Sequence, residues 1–226
     1  MNCLLDDLSN FLSDSGLNWF ICGGVAIDLF VGKLTRKHKD LDVGLFWDQR
    51  KEIIEFMLAR NWRVFEPDKG KLYELFHSSS DRKIEDNLWC IKPDNPSYIL
   101  QEIKNNRYKV VDKSVHQEEL DFIEYLFNSK KNGYFLYKRN HDIKREINKA
   151  ILEIEGIKFL APEIVLLYKS IFVKSNYNFT KEVINNYKND FKVVYSLMDI
   201  EQKRWLESAL QKEYPEGHLW LDGIVM

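Results

Sequence analysis

A glycine pair followed by two spaced aspartates constrains this chain more than any other feature of its sequence. Gly23 and Gly24 stand immediately before an apolar segment, residues 25–31, that is typical of a short helix ending at Gly32. A helix that begins at small residues presents unpaired backbone N–H groups to its surroundings, and such groups bind phosphate. We therefore predict a phosphate site at the start of this helix.

The two aspartates, Asp40 and Asp42, follow a basic turn that contains Arg36. Residues 40–46 alternate in a way that predicts a strand, and side chains two residues apart in a strand lie on the same face. Two carboxylates on one face repel each other unless a cation lies between them, and Mg²⁺ prefers carboxylate and phosphate oxygens. The motif as a whole therefore indicates a site for a nucleotide together with a divalent metal.

The joined motif from Gly23 to Asp42 resembles the signature of the nucleotidyltransferase superfamily, which has a polymerase-beta-like fold. It is most similar to the branch that contains the aminoglycoside and lincosamide antibiotic adenylyltransferases. Residues 160–169 and 201–221 are also similar to that branch, so the resemblance covers most of the chain. Val25 departs from the branch pattern, which has a bulky aromatic residue after the glycines. This departure bears on the identity of the acceptor more than on the class of reaction.

The resemblance implies an enzyme that uses Mg²⁺, as one or two ions, to move a nucleoside monophosphate from ATP or another NTP to a hydroxyl group of a small molecule. An aminoglycoside or lincosamide antibiotic is the acceptor it suggests. Asp40 and Asp42 would bind the metal with a third carboxylate, and Glu124 matches the branch pattern better than Asp121. These two lie on opposite faces of a regular strand, so at most one faces the metal. The alternative is that both are solvated and have no chemical role.

The resemblance also implies that Gly23, Gly24, Arg36 and Lys169 bind the nucleotide. Lys169 lies in a helix predicted to begin at Ala161-Pro162-Glu163, because proline fits the first turn and an acid there complements the helix dipole. For this lysine the alternative is a side chain that faces solvent.

Two other polar residues of the motif have structural interpretations. We expect Asp28, in the short helix, to anchor the basic turn rather than bind metal. His38 would share the face of Asp40 and Asp42 on a continuous strand and would bond a phosphate or a carboxylate there, although a lone histidine more often has a structural role.

The predicted elements give an α+β fold with two parts. Residues 1–160 form a nucleotidyltransferase domain with a mixed β-sheet flanked by helices, and residues 161–226 form a C-terminal helical region. Residues 92–117 show no clean period and match the branch least, so we interpret them as an insertion that helps to shape the acceptor pocket.

Composition limits the partners of the chain. Its 226 residues carry 33 Lys and Arg against 35 Asp and Glu, a net charge of −2, so there is no overall attraction to nucleic acid or membrane. We expect a cytoplasmic protein with no membrane partner, because the N-terminus lacks a signal-peptide pattern and no apolar segment is long enough to span a bilayer. Two alternatives stay open: a toxin-like nucleotidyltransferase that modifies RNA or protein, and a non-catalytic nucleotide-binding module of the same fold.

Overall fold

The computed structural model describes residues 2–38, 40–78, 87–93, 98–113, 119–174 and 180–224. In these ranges none of the helices combines the length and apolarity needed to cross a bilayer. The helices, in chain order, are α1 (Asn2–Leu12), α2 (Gly23–Val31), α3 (Arg50–Ala59), α4 (Ile147–Ala150), α5 (Pro162–Lys174), α6 (Lys181–Leu197), α7 (Ile200–Glu213) and α8 (Leu219–Ile224).

The strands of the described residues join into one mixed sheet. They are β1 (Phe20–Ile21), β2 (Asp42–Phe46), β3 (Arg63–Asp68), β4 (Lys71–Leu75), β5 (Asn87–Ile91), β6 (Tyr98–Lys104), β7 (Arg107–Lys113), β8 (Phe122–Lys131), β9 (Tyr134–Leu136), β10 (Lys144–Glu146), β11 (Ile151–Ile154) and β12 (Ile157–Leu160). The order across the sheet is β11-β12-β1-β2-β8-β5-β3-β4-β7-β6, with β9 and β10 extending from β8. The pairs β1–β12 and β2–β8 are parallel, and the other pairs are antiparallel.

Strand β2 lies between β1 and β8, and this placement joins the glycine pair to the carboxylates. The Cys22 N–H donates to the Asp42 carbonyl at 2.8 Å, immediately before the glycines. On the other side of β2, Asp42 pairs with Glu124 in parallel register. The start of α2, the start of β2 and the first half of β8 therefore meet at one edge of the sheet.

The ends of the main helices follow from local sequence signals. Gly32 ends α2 in the left-handed conformation, with φ 76°, which glycine adopts at little cost. Pro162 begins α5 at the position where its missing N–H removes no helical bond. Thr180 caps α6 with its side chain, and Asp199 with Gln202 forms a capping box at the start of α7. The starts of α2 and α5 lie within two residues of those predicted from the sequence.

Helix α2 lies at the centre of the hydrophobic core. It packs against α5, α6 and β12, and its Ala26 and Ile27 are fully buried. A smaller cluster on the far half of the sheet contains Phe65 and Phe122, with Tyr108 of β7 packed against it. The C-terminal helices thus cover the half of the sheet that holds the glycine pair.

One prediction of secondary structure was wrong, and one segment that the sequence left unassigned contains strands. The strand expected to begin at Asp40 begins at Asp42, so Asp40 lies in the turn before it. Residues 92–117, which show no clean period in the sequence, contain the hairpin β6–β7, with Asn105 and Asn106 at positive φ in its turn. Residues 101–106 are exposed, so the alternation that marks a half-buried strand is missing there.

Candidate active site

A cavity of about 450 Å³ lies where the start of α2, the turn before β2, strand β8 and helices α5 and α6 meet. A cavity of this size is in the usual range for small-molecule sites, about 300–1,000 Å³. The residues of the predicted site that line it are Gly23, Gly24, Arg36, Asp40, Asp42 and Lys169. Its other polar and aromatic lining residues are Cys22, His38, Asn87, Phe127, Asn128, Lys138, Arg139, Tyr168 and Tyr187.

The glycine pair is required because polar side chains lie directly against it. Gly23 has a φ of 61°, and a Cβ atom at this position would overlap the Asp42 carboxylate. A Cβ at Gly24 would lie 2.5 Å from the His38 ring and 2.8 Å from Arg36 Nη2. Any larger residue at either position would displace these groups from the start of α2. Because the glycines have no side chain, the Asp42 carboxylate, the His38 imidazole and the Arg36 guanidinium can lie close to the start of α2, and the backbone there stays accessible.

Asp28 anchors the basic turn, as predicted. This fully buried carboxylate accepts from the Thr35 N–H at 3.0 Å and from the Thr35 hydroxyl. Its other oxygen lies 2.6 Å from His38 Nε2, and His38 Nδ1 lies 3.0 Å from Arg36 Nη1. Because arginine only donates, His38 Nδ1 accepts and its Nε2–H donates to Asp28. Burial alone would raise the pKa of Asp28, but the bonds from His38 and Thr35 outweigh it and lower that pKa.

The structure brings Asp40 and Asp42 to the cavity wall and places Glu124 beside Asp42. Residues paired in register point to the same face of a sheet, so Asp42 and Glu124 share a face. Asn87 donates from Nδ2 to Glu124 Oε1 at 2.5 Å. Neither Glu124 nor the buried Asp121 is among the described residues that line the cavity.

The three predicted metal ligands, Asp40, Asp42 and Glu124, do not cluster around one point in the structure. Across the described ranges, no group of three His, Cys, Asp or Glu side chains lies close enough together to hold a metal ion. Among the described residues that line the cavity, Asp40 and Asp42 supply the carboxylate oxygens, and these are the ligands that Mg²⁺ prefers. The role of Glu124 as a third ligand stays a prediction.

Lys169 is buried, so the interpretation of a side chain facing solvent is wrong. Its Nζ lies 2.8 Å from Asp190 Oδ2 and 4.4 Å from the centre of the Tyr187 ring. Burial lowers the pKa of Lys169, and the charge and hydrogen bond of Asp190 oppose that shift. Arg36 Nη2 lies 3.8 Å from the same Asp190 oxygen. The two cations predicted to bind the nucleotide therefore meet at one carboxylate.

Sequence reasoning missed the contribution of α6 to the site. Tyr187 lines the cavity, and Asp190 lies one turn further along the same helix. A signal was present, because Tyr187, Asp190 and Val194 follow each other at helical spacing and place an acid on the apolar face of α6. An acid on such a face needs a partner, but the sequence does not name it.

Sequence reasoning also missed the residues that line the part of the cavity far from the glycine pair. Lys138 and Arg139, in the segment after β9, lie there beside Tyr168 of α5. The Lys138 N–H donates to the Tyr168 hydroxyl at 3.3 Å, and Arg139 Nη1 donates to the Tyr137 hydroxyl at 3.0 Å. Hairpin β6–β7 contributes none of the described residues that line the cavity.

A family model described as aminoglycoside-2''-adenylyltransferase matches residues 4–96. The matched region contains the glycine pair, Arg36, Asp40 and Asp42, and it ends before Glu124 and Lys169. No curated protein matches the chain by sequence.

Solved structures extend the likeness to nearly the whole chain. A solution structure of the antibiotic-resistance factor ANT(2'')-Ia is 13% identical and covers 94% of this chain and 91% of its own, with a TM-score of 0.53. The crystal structure of ANT(2'')-Ia with adenylyl-2''-tobramycin is 12% identical, with coverage of 92% and 96% and a TM-score of 0.53. Lincomycin-bound LnuA, a lincosamide antibiotic adenylyltransferase, is 14% identical, with coverage of 88% and 98% and a TM-score of 0.51.

The chain has the nucleotidyltransferase fold. Identities of 12–14% establish the fold alone, and the family model adds the sequence pattern of the N-terminal part. Together they confirm the predicted α+β fold and the predicted resemblance to the antibiotic adenylyltransferase branch, and they support the predicted class of enzyme. On the nucleotidyltransferase fold, the cavity described above is the candidate active site.

Proposed function

We propose that this chain is a Mg²⁺-dependent adenylyltransferase that moves a nucleoside monophosphate from ATP or another NTP to a hydroxyl group of a small molecule. An aminoglycoside or lincosamide antibiotic is the first acceptor to test, and its modification would confer resistance. The observation that carries the proposal is that Asp40 and Asp42 line the same cavity as Gly23, Arg36 and Lys169. A phosphate-binding helix start, two cations and two carboxylates are the groups that nucleotidyl transfer requires.

The triphosphate would lie against the start of α2. Arg36 supports this placement because its Nε is buried and has no hydrogen-bond partner among the described residues. Leaving a buried donor unpaired costs about 1–3 kcal/mol, so a phosphate oxygen that accepts from Nε would stabilise this side chain. Lys169, on the neighbouring wall, adds a second positive charge. The two cations together would hold the phosphates and orient the α-phosphorus toward Asp40 and Asp42.

Asp40 and Asp42 would hold the metal, since two carboxylates at one cavity wall suit a hard divalent cation. When bound, Mg²⁺ supplies charge neutralisation and polarises a phosphate oxygen. Glu124, on the face of Asp42, would serve either as a further ligand or as the base that takes the proton of the acceptor hydroxyl. Its bond from Asn87 fixes one carboxylate oxygen and so limits the directions in which the other one can point.

The acceptor would occupy the far part of the cavity, along β8. Glu124 and Asn128 lie on the same face of this strand, and four residues of strand span about 13 Å. The wall there combines the rings of Phe127 and Tyr168 with the cationic Lys138 and Arg139. Rings offer flat contact area and the polar groups fix orientation, which suits a hydroxylated small molecule.

Pyrophosphate release tests the proposal. The protein is incubated with Mg²⁺, each of the four NTPs and a panel of aminoglycosides and lincosamides. We expect release that depends on one acceptor and falls on the order of ten thousandfold in an Asp40→Asn/Asp42→Asn double variant. Asp48→Asn is the matched control, since this exposed aspartate pairs with Lys130 at the surface.

Two outcomes contradict the proposal in different ways. Release that persists in the double variant would remove Asp40 and Asp42 from the chemistry. Binding of Mg²⁺ and NTP without release for any acceptor would exclude these antibiotics and direct the search to RNA, to protein or to a non-catalytic role.

A further inference from the structure

Helix α6 places a buried acid at the nucleotide end of the candidate site. Only 6% of Asp190 is exposed, and it lies on the face of α6 that packs against α5 and α2. Its Oδ2 atom lies 2.8 Å from Lys169 Nζ of α5 and 3.8 Å from Arg36 Nη2 in the turn before β2. One carboxylate oxygen therefore connects two cations that are 133 residues apart in the chain.

We propose that Asp190 is a positioning residue of the nucleotide site, which holds the Lys169 ammonium and the Arg36 guanidinium together on one wall of the cavity. The inference rests on the proposed function, because the ligand of these two cations is taken to be the triphosphate. It extends the site to α6, which neither the sequence motif nor the matched family model reaches.

Charge explains why the two cations need this residue. Like charges that approach each other disfavour their own ionised forms, and burial disfavours the ionised form of Lys169 further. Asp190 offsets both effects. Within these ion pairs two cations share one carboxylate, so Asp190 neutralises only one of the two positive charges. The Nε of Arg36 adds a donor that no side chain or backbone group in the described part of the chain satisfies.

Arg36 and Lys169 each make a further contact besides the one with Asp190. His38 Nδ1 accepts from Arg36 Nη1 at 3.0 Å, and Asp28 of α2 holds that imidazole in place. The Lys169 ammonium lies over the ring of Tyr187, 4.4 Å from its centre. The residues run from α2 through the basic turn to α6 and α5 as a continuous series of contacts. Asp190 is the point at which the two halves of this series join.

Nucleotide affinity, measured without any acceptor, tests the inference. ATP is titrated by calorimetry, with and without Mg²⁺, into the wild-type protein, Asp190→Asn, Lys169→Met and the double variant. We expect Asp190→Asn to weaken ATP binding about tenfold to a hundredfold, the value of one charge-assisted hydrogen bond. In the Lys169→Met background the same change should have a smaller effect, because only Arg36 then remains for Asp190 to hold.

Glu66→Gln is the matched control. Glu66 is also a buried carboxylate, it pairs with Arg50, and it does not line the cavity. This variant should lose stability but keep the wild-type affinity for ATP. A merely structural role for Asp190 would make the two variants behave alike.

The outcomes separate this inference from the proposed function. If the wild-type protein binds none of the four NTPs, the proposed function fails. If it binds ATP and Asp190→Asn binds equally well, or if the effects of Asp190→Asn and Lys169→Met multiply, Asp190 does not position the cations. Should Asp190→Asn not fold, Asp190→Glu decides the matter. It keeps the charge but moves it by one methylene, and unchanged affinity in this variant overturns the inference.

Discussion

Helix α5 carries two buried titratable residues, one in its first turn and one near its middle, and the surroundings of the two differ in one respect. Glu163, in the first turn, lies 2.8 Å from Arg145 Nη2 and accepts from Gln202 Nε2 at 3.0 Å. Lys169, almost two turns later, pairs with Asp190 at 2.8 Å. Both side chains are buried and both join α5 to a later helix. Only Lys169 lines the cavity.

The ion pairs of the two residues lead to different places. At Glu163 they continue to the surface, because the exposed Glu201 pairs with Arg145 and Lys149, each at 3.0 Å, and Lys149 also pairs with Glu146 at 3.3 Å. At Lys169 they continue along the cavity wall, because Arg36 shares Asp190 with Lys169 and both cations line the cavity. The same chemistry therefore serves two purposes. The Glu163 cluster joins structural elements, whereas the Lys169 cluster presents two cations to a ligand of opposite charge.

Breaking the Glu163 cluster should give the largest change in stability. Arg145→Met would leave the fully buried Glu163 carboxylate without its cation, and loss of one partner of a buried ion pair costs about 3–5 kcal/mol. We expect the free energy of unfolding, measured with denaturant, to fall by this amount while the affinity for ATP stays that of the wild-type protein. Weakened ATP binding at unchanged stability would show that the two clusters are not separate in function.

A smaller effect is expected at Tyr187, in the Lys169 cluster. Its ring lies against the Lys169 ammonium, and such contacts contribute roughly 0.5–2 kcal/mol. Tyr187→Leu should weaken ATP binding about threefold to tenfold by titration. Tyr187→Phe keeps the ring and should bind like the wild-type protein. A larger loss in the Phe variant than in the Leu variant would assign the effect to the hydroxyl group instead.

The smallest effect concerns the pH dependence of stability. Burial raises the pKa of Glu163 above its ordinary value of 4.5, and Arg145 opposes only part of that shift. The folded state therefore holds this proton more tightly than the unfolded chain, so the resulting stabilisation is present below pH 4.5 and is lost as the pH rises through the raised pKa. The free energy of unfolding of the wild-type protein, relative to Glu163→Gln, should decrease over that range.

Denaturant unfolding of both proteins at a series of pH values measures this difference. Gln is the appropriate reference because it resembles the protonated carboxyl group in size and is neutral. A difference that increases with pH would mean that Arg145 dominates and that the pKa of Glu163 is lowered.

The sequence by itself determined the local parts of this protein. Small residues at Gly23 and Gly24, a helix stop at Gly32 and the spacing of Asp40 and Asp42 specify a helix start and paired carboxylates, because these features depend on neighbours along the chain. The same is true of the start of α5 at Pro162. The anchoring of the basic turn by Asp28 followed from the same short segment.

Only the tertiary structure decided which distant groups meet at those local parts. Parallel pairing placed Glu124 beside Asp42, and helix packing brought Asp190 to Lys169 and Arg36. Helical periodicity predicts the face on which an acid lies, but not the element against which that face packs. The partner depends on how α5 and α6 pack against each other and against α2, which is a property of the whole core. For that reason the motif was visible in the sequence, whereas the wall that completes the candidate site was not.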